Sequence, residues 1–243
     1  MALCIVTGTN TDVGKTIAVA ALSAVLTELG HPVTVIKPVQ TGEPDGAGDI
    51  YTAKQFIPTI STAEFIRYPE PLAPNIAAHR ANMEQLDCAE VVTKIRDIHQ
   101  QCLQQANREG TAEPVVLVEG AGGLLVRLGD TWTIADVAAG LSAPVVVVTS
   151  TGLGSLNLAE LTVEAARRRG LSIAAVLGGS VPAKPDLATR LNLQLFSEIT
   201  QAPWLGALPE HLGGRSKEAF AAAAFAALDC DQLRAALNLS AAQ

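Results

Sequence analysis

The chemistry in this chain is concentrated in a few short runs. The first is Gly8-Thr-Asn-Thr-Asp-Val-Gly-Lys-Thr16, directly behind the apolar run Leu3–Val6. An apolar run that ends in glycine and then in Gly-Lys-Thr reads as strand, phosphate loop and helix. A turn with few side chains lets its backbone N–H groups face a phosphate. The helix behind it opens with unpaired N–H groups and a positive dipole end. Lys15 adds a mobile positive charge, and the Thr16 hydroxyl suits one position on a magnesium ion. The strict pattern has glycine six residues before the lysine. Thr9 stands there, with Gly8 one step earlier, so the loop is a variant. The plain alternative is an ordinary glycine-rich turn.

Two further runs follow apolar segments. Lys37-Pro-Val-Gln-Thr-Gly42 comes after Val33–Ile36, and Glu119-Gly-Ala-Gly-Gly123 after Pro114–Val118. Each reads as a loop at the carboxyl end of a buried strand, where ligands bind in open α/β sheets. Lys15 and Lys37 bring positive charge to the place where phosphate oxygens gain charge in a transition state. Asp49 has two readings: the N-cap of a helix over Ile50–Phe56, or a magnesium ligand. Glu119 is either a second metal-proximal acid or the local partner of a base. Thr151–Asn157 is a fourth polar run, ahead of a helix that reaches about Arg169. Ser155 or Asn157 would cap that helix, and its start is either a natural anion site or a capped end without a ligand. The region around Ser180 marks a fifth strand end.

The elements that must position these groups alternate. Helical spacing of Val19, Leu22, Leu26 and Leu29 predicts a helix from Lys15 to about Leu29, with Gly30 as its stop. Further helices are expected over Leu86–Ala106 with Asp87 as cap, Ile134–Leu141 and Asp186–Ser197. Asn75–Arg80 reads as a short helical turn. Strands are expected at Thr62–Tyr68, Ala143–Thr149, Leu171–Leu177 and Trp204–Leu208. A small β excursion is expected around Gly129-Asp130. Glu43–Asp49 and the proline-rich Pro69–Pro74 read as loops. Strand, helix, strand recurs without a linker or internal repeat. The expectation is one α/β domain, 1–243, with a parallel sheet flanked by helices and a helical tail over 216–243.

Composition narrows the function classes. A formal net charge of −7 argues against a nucleic-acid partner. Cys4, Cys88, Cys102 and Cys230 are far apart and form no CxxC pair, which fits reduced thiols and a cytoplasmic location. The apolar runs Ala143–Thr149 and Ala219–Ala227 are too short to cross a membrane. His31, His79, His99 and His211 are dispersed, beside no obvious nucleophile and in no metal-spaced cluster. Covalent and soft-metal catalysis are therefore disfavoured.

Thr-Gly-Thr-Asn-Thr-Asp-Val-Gly-Lys-Thr, Lys-Pro-Val-Gln-Thr-Gly and Val-Glu-Gly-Ala-Gly-Gly in one chain closely resemble the dethiobiotin synthetases. The resemblance runs through most of the first two hundred residues. It implies a P-loop nucleoside triphosphate hydrolase-like fold, a homodimer, and ATP- and magnesium-dependent ring closure of 7,8-diaminononanoate with CO2 in biotin synthesis. It implies nucleotide contacts from Thr9, Asn10, Thr11, Asp12, Val13, Gly14, Lys15, Thr16 and Ile17. Thr16, Asp49 and Glu119 would hold magnesium, and Lys37, Lys15 and Thr11 would be catalytic. Thr11, Lys37, Thr41, Gly122, Gly123, Gly152, Leu153, Gly154 and Asn157 would hold the substrate, partly across the dimer interface, with its carboxylate near Asn157. Asn10 stands where partition proteins of the same superfamily often carry a second lysine, which turns the reading away from that class. Two positions depart from the family pattern. Gly178–Pro185 lacks the asparagine that helps recognise adenine, so a looser preference for ATP over other nucleoside triphosphates is expected. Asn75 stands where a histidine is common.

Overall fold

The structure, a computed structural model, describes residues 2–43 and 46–239. Positions 44–45 of the expected acidic loop and 240–243 of the expected tail lie outside the described residues. β1 (Leu3–Gly8) runs into α1 (Lys15–Glu28), and β2 (Val33–Thr41) into α2 (Asp49–Phe56). β3 (Ser61–Tyr68), α3 (Pro74–Ala81) and α4 (Cys88–Glu109) lead to β4 (Val115–Gly123). A hairpin of β5 (Arg127–Gly129) and β6 (Trp132–Thr133) passes into α5 (Ile134–Leu141). The alternation then continues with β7 (Val145–Thr149), α6 (Ser155–Arg167), β8 (Ile173–Val181), α7 (Leu187–Thr200) and β9 (Trp204–Pro209). α8 (Lys217–Ala227) and α9 (Cys230–Ala236) complete the described chain.

Among the described residues, seven strands form one parallel sheet in the order β3-β2-β4-β1-β7-β8-β9. β1 is central and buried along its whole length. Its residues alternate: Cys4 and Val6 join a core layer with α1 and α8, while Leu3 and Ile5 join the opposite layer with α4 and α5. That alternation is the two-residue period of a strand covered on both faces. α1 is buried almost all round, from Ala18 to Leu26, because the sheet and α8 enclose it. The tail is part of this packing. Phe220 is fully buried and stacks on Phe56 with ring centroids 4.0 Å apart. No helix among the described residues is long and apolar enough to cross a membrane.

Most of the expected elements are present, including the Asp87 cap, whose side chain accepts from the backbone N–H groups of Ala89 and Glu90. Two expected loops are strand instead. Lys37–Thr41 continues β2, because β3 pairs with it as far as Thr41 opposite Tyr68. Glu119–Gly123 continues β4, which still pairs with β1 at Gly8 opposite Gly123. Polar and glycine residues survive in these strands because neighbouring backbones satisfy them. The site is therefore built on sheet. Ser155 and Asn157 do not cap α6; its N-cap is Gly154, without a side-chain bond, and the Ser155 hydroxyl pairs with Ser150 at 2.9 Å.

Candidate active site

The carboxyl ends of β1, β2 and β4 open into one cleft of about 770 Å³. Its lining contains Thr11, Asp12, Gly14, Lys15, Thr16, Ile17, Lys37, Thr41, Asp49, Glu119 and Gly122, all of them expected from the sequence. The phosphate loop enters α1 through Gly14, whose φ of 90° lies in the left-handed region. A Cβ there would sit 2.8 Å from the carbonyl oxygen of Gly179 on β8, so glycine is required by both conformation and space. No side chain caps α1, which leaves its first N–H groups for a ligand. The Lys15 ammonium folds back over the loop and donates to the Asn10 carbonyl at 3.1 Å.

Four groups lock together at the base of the cleft. The Thr16 hydroxyl lies 2.9 Å from Asp49 Oδ1 and 3.1 Å from Glu119 Oε1. The Lys37 ammonium donates to Glu119 Oε1 at 3.1 Å and to the Gly120 carbonyl at 2.9 Å, and it pairs with Asp49 Oδ2. Three acceptors match its three hydrogens, which is how a lysine only 2% exposed stays charged. Burial opposes that charge, but Glu119 and Asp49 hold the ammonium above its ordinary range. Burial pushes the Glu119 carboxyl up to about 7, against the pull of Lys37. Burial works on Asp49 as well, yet Lys37 and Thr16 keep it below the usual carboxylate range. Lys15 is held low by its burial and then by the like charge of Lys37.

Asp49 is therefore not the cap of α2. Gly48 occupies that position, and the Asp49 carboxylate turns back toward Thr16. The residues fit a hard cation. Glu119 Oε2 is buried without a hydrogen-bond partner, and the oxygens of Thr16, Asp49 and Glu119 converge beside it. An all-oxygen donor set with so few protein ligands suits magnesium, which keeps waters and substrate phosphates.

Other expected site residues are not part of the cleft lining. Thr9 pairs with Thr149 at 3.3 Å, and the Asn10 side chain accepts from the Thr11 N–H at 2.8 Å. Val13 packs into the core, and Gly123 pairs with β1. Gly152, Leu153, Gly154 and Asn157 sit at the start of α6, outside this cleft, and Leu153 is 91% exposed. Asn192 of α7 braces that loop by donating to the carbonyls of Thr151 and Gly152 at 3.0 and 2.7 Å. Sequence reasoning missed Asn192, Gln40 and Val126, and it gave Pro71–Pro74 only a loop's role. Pro71, Leu72, Ala73, Pro74 and Val126 form an apolar wall of the cleft. For Pro71–Pro74 the only signal was the proline-rich stretch itself, and Val126 had none.

A family model described as an AAA domain matches residues 4–213. The ATP-dependent dethiobiotin synthetase of Corynebacterium diphtheriae is 53% identical over 220 residues, which is 90% of this chain and 94% of that one. That of Streptomyces coelicolor is 44% identical over 226 residues, 92% of this chain and 90% of that one. Among solved structures, the MinC:MinD cell division complex of Aquifex aeolicus superposes with a TM-score of 0.58 at 12% identity, covering 100% of this chain and 98% of that one. That likeness concerns the fold alone, a P-loop nucleoside triphosphatase-like sheet. With its motifs gathered in one cleft and its sequence shared over most of its length, the chain belongs to the family of ATP-dependent dethiobiotin synthetases.

Proposed function

We propose that this chain makes dethiobiotin from 7,8-diaminononanoate, CO2 and ATP in biotin synthesis, as a cytoplasmic homodimer whose working unit is the whole P-loop domain, 1–243, with its tail 216–243. The observation that carries the reading is the interlocked Thr16, Lys37, Asp49 and Glu119 at the opening of an uncapped phosphate-loop helix. One substrate amine adds to CO2 and gives a carbamate. The carbamate oxygen attacks the γ-phosphorus, and the bond to ADP breaks. The second amine then attacks the carbonyl carbon of the mixed anhydride and expels phosphate, which closes the ureido ring.

No histidine base is needed, because the carbamate is already an oxygen nucleophile. The residues mainly position groups and stabilise phosphate charge. The backbone of Thr9–Ile17 receives the nucleotide phosphates, with Lys15 on the transferring end. Lys37 steadies the carbamate and the charge that develops during transfer. The Thr11 and Thr41 hydroxyls, with Gly122 and Gly123, hold the diamine end, and the apolar wall of Pro71–Pro74 and Val126 suits its aliphatic chain. Magnesium, held by Thr16, Asp49 and Glu119, would neutralise charge on the phosphate oxygens.

The substrate carboxylate is assigned to the start of α6, at Gly152, Leu153, Gly154 and Asn157, from a second copy. The exposure of Leu153 ahead of α6, Leu161 on α6, and Leu187 and Leu191 on α7 supports a partner on that face. Incubation with diaminononanoate, bicarbonate, magnesium and ATP tests the assignment. Dethiobiotin and ADP are expected in equal amounts. Intact nucleotide binding without dethiobiotin would reject the function.

A further inference from the structure

Asp49 is held in place by residues that lie outside the catalytic cluster. Arg67 lies on the edge strand β3, in register with Gln40 on β2. Its guanidinium grips Glu64 with two bonds of 2.7 Å, from Nε and Nη2. Nη1 is then left to donate to the carbonyls of Glu43 and of Ala47, the latter at 2.8 Å. Both carbonyls belong to the acidic loop, Glu43–Asp49, that leads into α2. Beside them, Gln40 Oε1 accepts from the Asp49 N–H at 3.1 Å, while its Nε2 donates to the Thr41 carbonyl at 3.0 Å. Gly48 fits between the two side chains. A Cβ there would lie 2.9 Å from Arg67 Nη2 and 3.1 Å from Gln40 Oε1.

We propose that Glu64, Arg67 and Gln40 form a clamp that presets Asp49 for its cation, with Arg67 as a positioning residue. A planar fork that fills both oxygens of one carboxylate and still reaches two carbonyls fixes direction as well as distance. α2 has no side-chain cap of its own, so the clamp supplies the fixed point from which the Asp49 side chain reaches Thr16 and Lys37. The proposal rests on the reading of Asp49 as a magnesium ligand. It adds a residue on the outermost strand to the determinants of cation affinity.

Two readouts separate the clamp from that reading. Hydrogen exchange over residues 46–56, in protein free of metal and nucleotide, reads the clamp alone. Arg67→Ala and Gly48→Ala are expected to speed exchange at the Asp49 amide by about tenfold or more, with Arg67→Lys in between. Calorimetric titration of Mg²⁺ onto the protein with a non-hydrolysable ATP analogue reads the cation. Arg67→Ala is expected to weaken Mg²⁺ by about tenfold or more, as loss of a ligand's supporting partner does. The Mg²⁺ requirement for turnover should rise equally, while kcat at saturating Mg²⁺ stays within about twofold. Unchanged exchange, or unchanged Mg²⁺ affinity, in Arg67→Ala would overturn the clamp. Asp49→Asn is the control for the reading. If it binds Mg²⁺ like the parent protein, the ligand role falls and the clamp's purpose with it. If Asp49→Asn weakens Mg²⁺ and Arg67→Ala does not, only the clamp falls. Thermal unfolding of Gly48→Ala and Arg67→Lys guards against variants that simply fail to fold.

Discussion

The junctions β1–α1 and β7–α6 use the same backbone device on neighbouring strands and do different things with it. Each helix is entered through a left-handed glycine, Gly14 at φ 90° and Gly154 at φ 87°, and neither has a side-chain cap. The Thr9 N–H even donates to the Val148 carbonyl at 2.9 Å, so the two turns lie side by side. Around α1, Lys15, Lys37, Asp49 and Glu119 close the site within one chain. Around the start of α6 the chain offers a braced loop and a leucine that is 91% exposed. A helix N-terminus is thus only an opportunity for an anion, and its neighbours decide what it does. The first junction gathers its charged and polar groups from one chain. The second is assigned a role that needs a second copy.

This contrast can be broken most forcefully at Lys37. Lys37→Ala is expected to lower turnover at least about 100-fold, with the fold retained by circular dichroism because Glu119, at about 7, can take a proton once its cation is gone. Near-normal turnover would remove Lys37 from the chemistry.

The two glycines give the next largest difference. Both substitutions to alanine force a left-handed residue, at a cost of about 1–2 kcal/mol. Only at Gly14 does the new Cβ also meet backbone, at 2.8 Å from the Gly179 carbonyl; at Gly154 nothing lies within 4 Å. Gly14→Ala should therefore lose several kcal/mol of stability and most nucleotide affinity, while Gly154→Ala keeps nucleotide affinity. Denaturant melts and nucleotide titration would show this, and equal losses in the two variants would refute it.

Mixing tests whether the second junction works across a dimer. Asn157→Asp should repel the substrate carboxylate, and Lys37→Ala should disable the cleft. If the sites are shared across a twofold axis, mixed and re-equilibrated variants recover about a quarter of the parent activity, because one site in each mixed dimer is intact. No recovery would place both functions in one chain. The smallest effect concerns the base. With no asparagine in Gly178–Pro185, rates with CTP or GTP at subsaturating concentration should lie within about tenfold of ATP, the discrimination lost when one paired amide is missing. A strong ATP-only profile would show that other groups read adenine.

Much of the cleft was legible because its chemistry is local in sequence. Gly14-Lys15-Thr16 declares itself by spacing, and the apolar strands announce where their polar ends must meet. Asp49 was ambiguous for a physical reason. An aspartate at a helix start can cap that helix or turn its carboxylate toward another strand end, and only the distance to Thr16, thirty-three positions away, separates the two. Lys37–Thr41 and Glu119–Gly123 read as loops because polar and glycine residues are poor strand formers, and the pairing that overrides this is non-local. The wall of Pro71–Pro74 had no chemical signature at all. Arg67 read as an ordinary strand residue and Gln40 as part of a polar loop until register placed them side by side.

The central claim is that a carbamate oxygen attacks the γ-phosphate, and oxygen labelling tests it most directly. With ¹⁸O-labelled CO2 and a short reaction time, the account predicts one labelled oxygen in each released phosphate, because the attacking oxygen leaves with phosphorus when the second amine closes the ring. Dethiobiotin formed with unlabelled phosphate would contradict it.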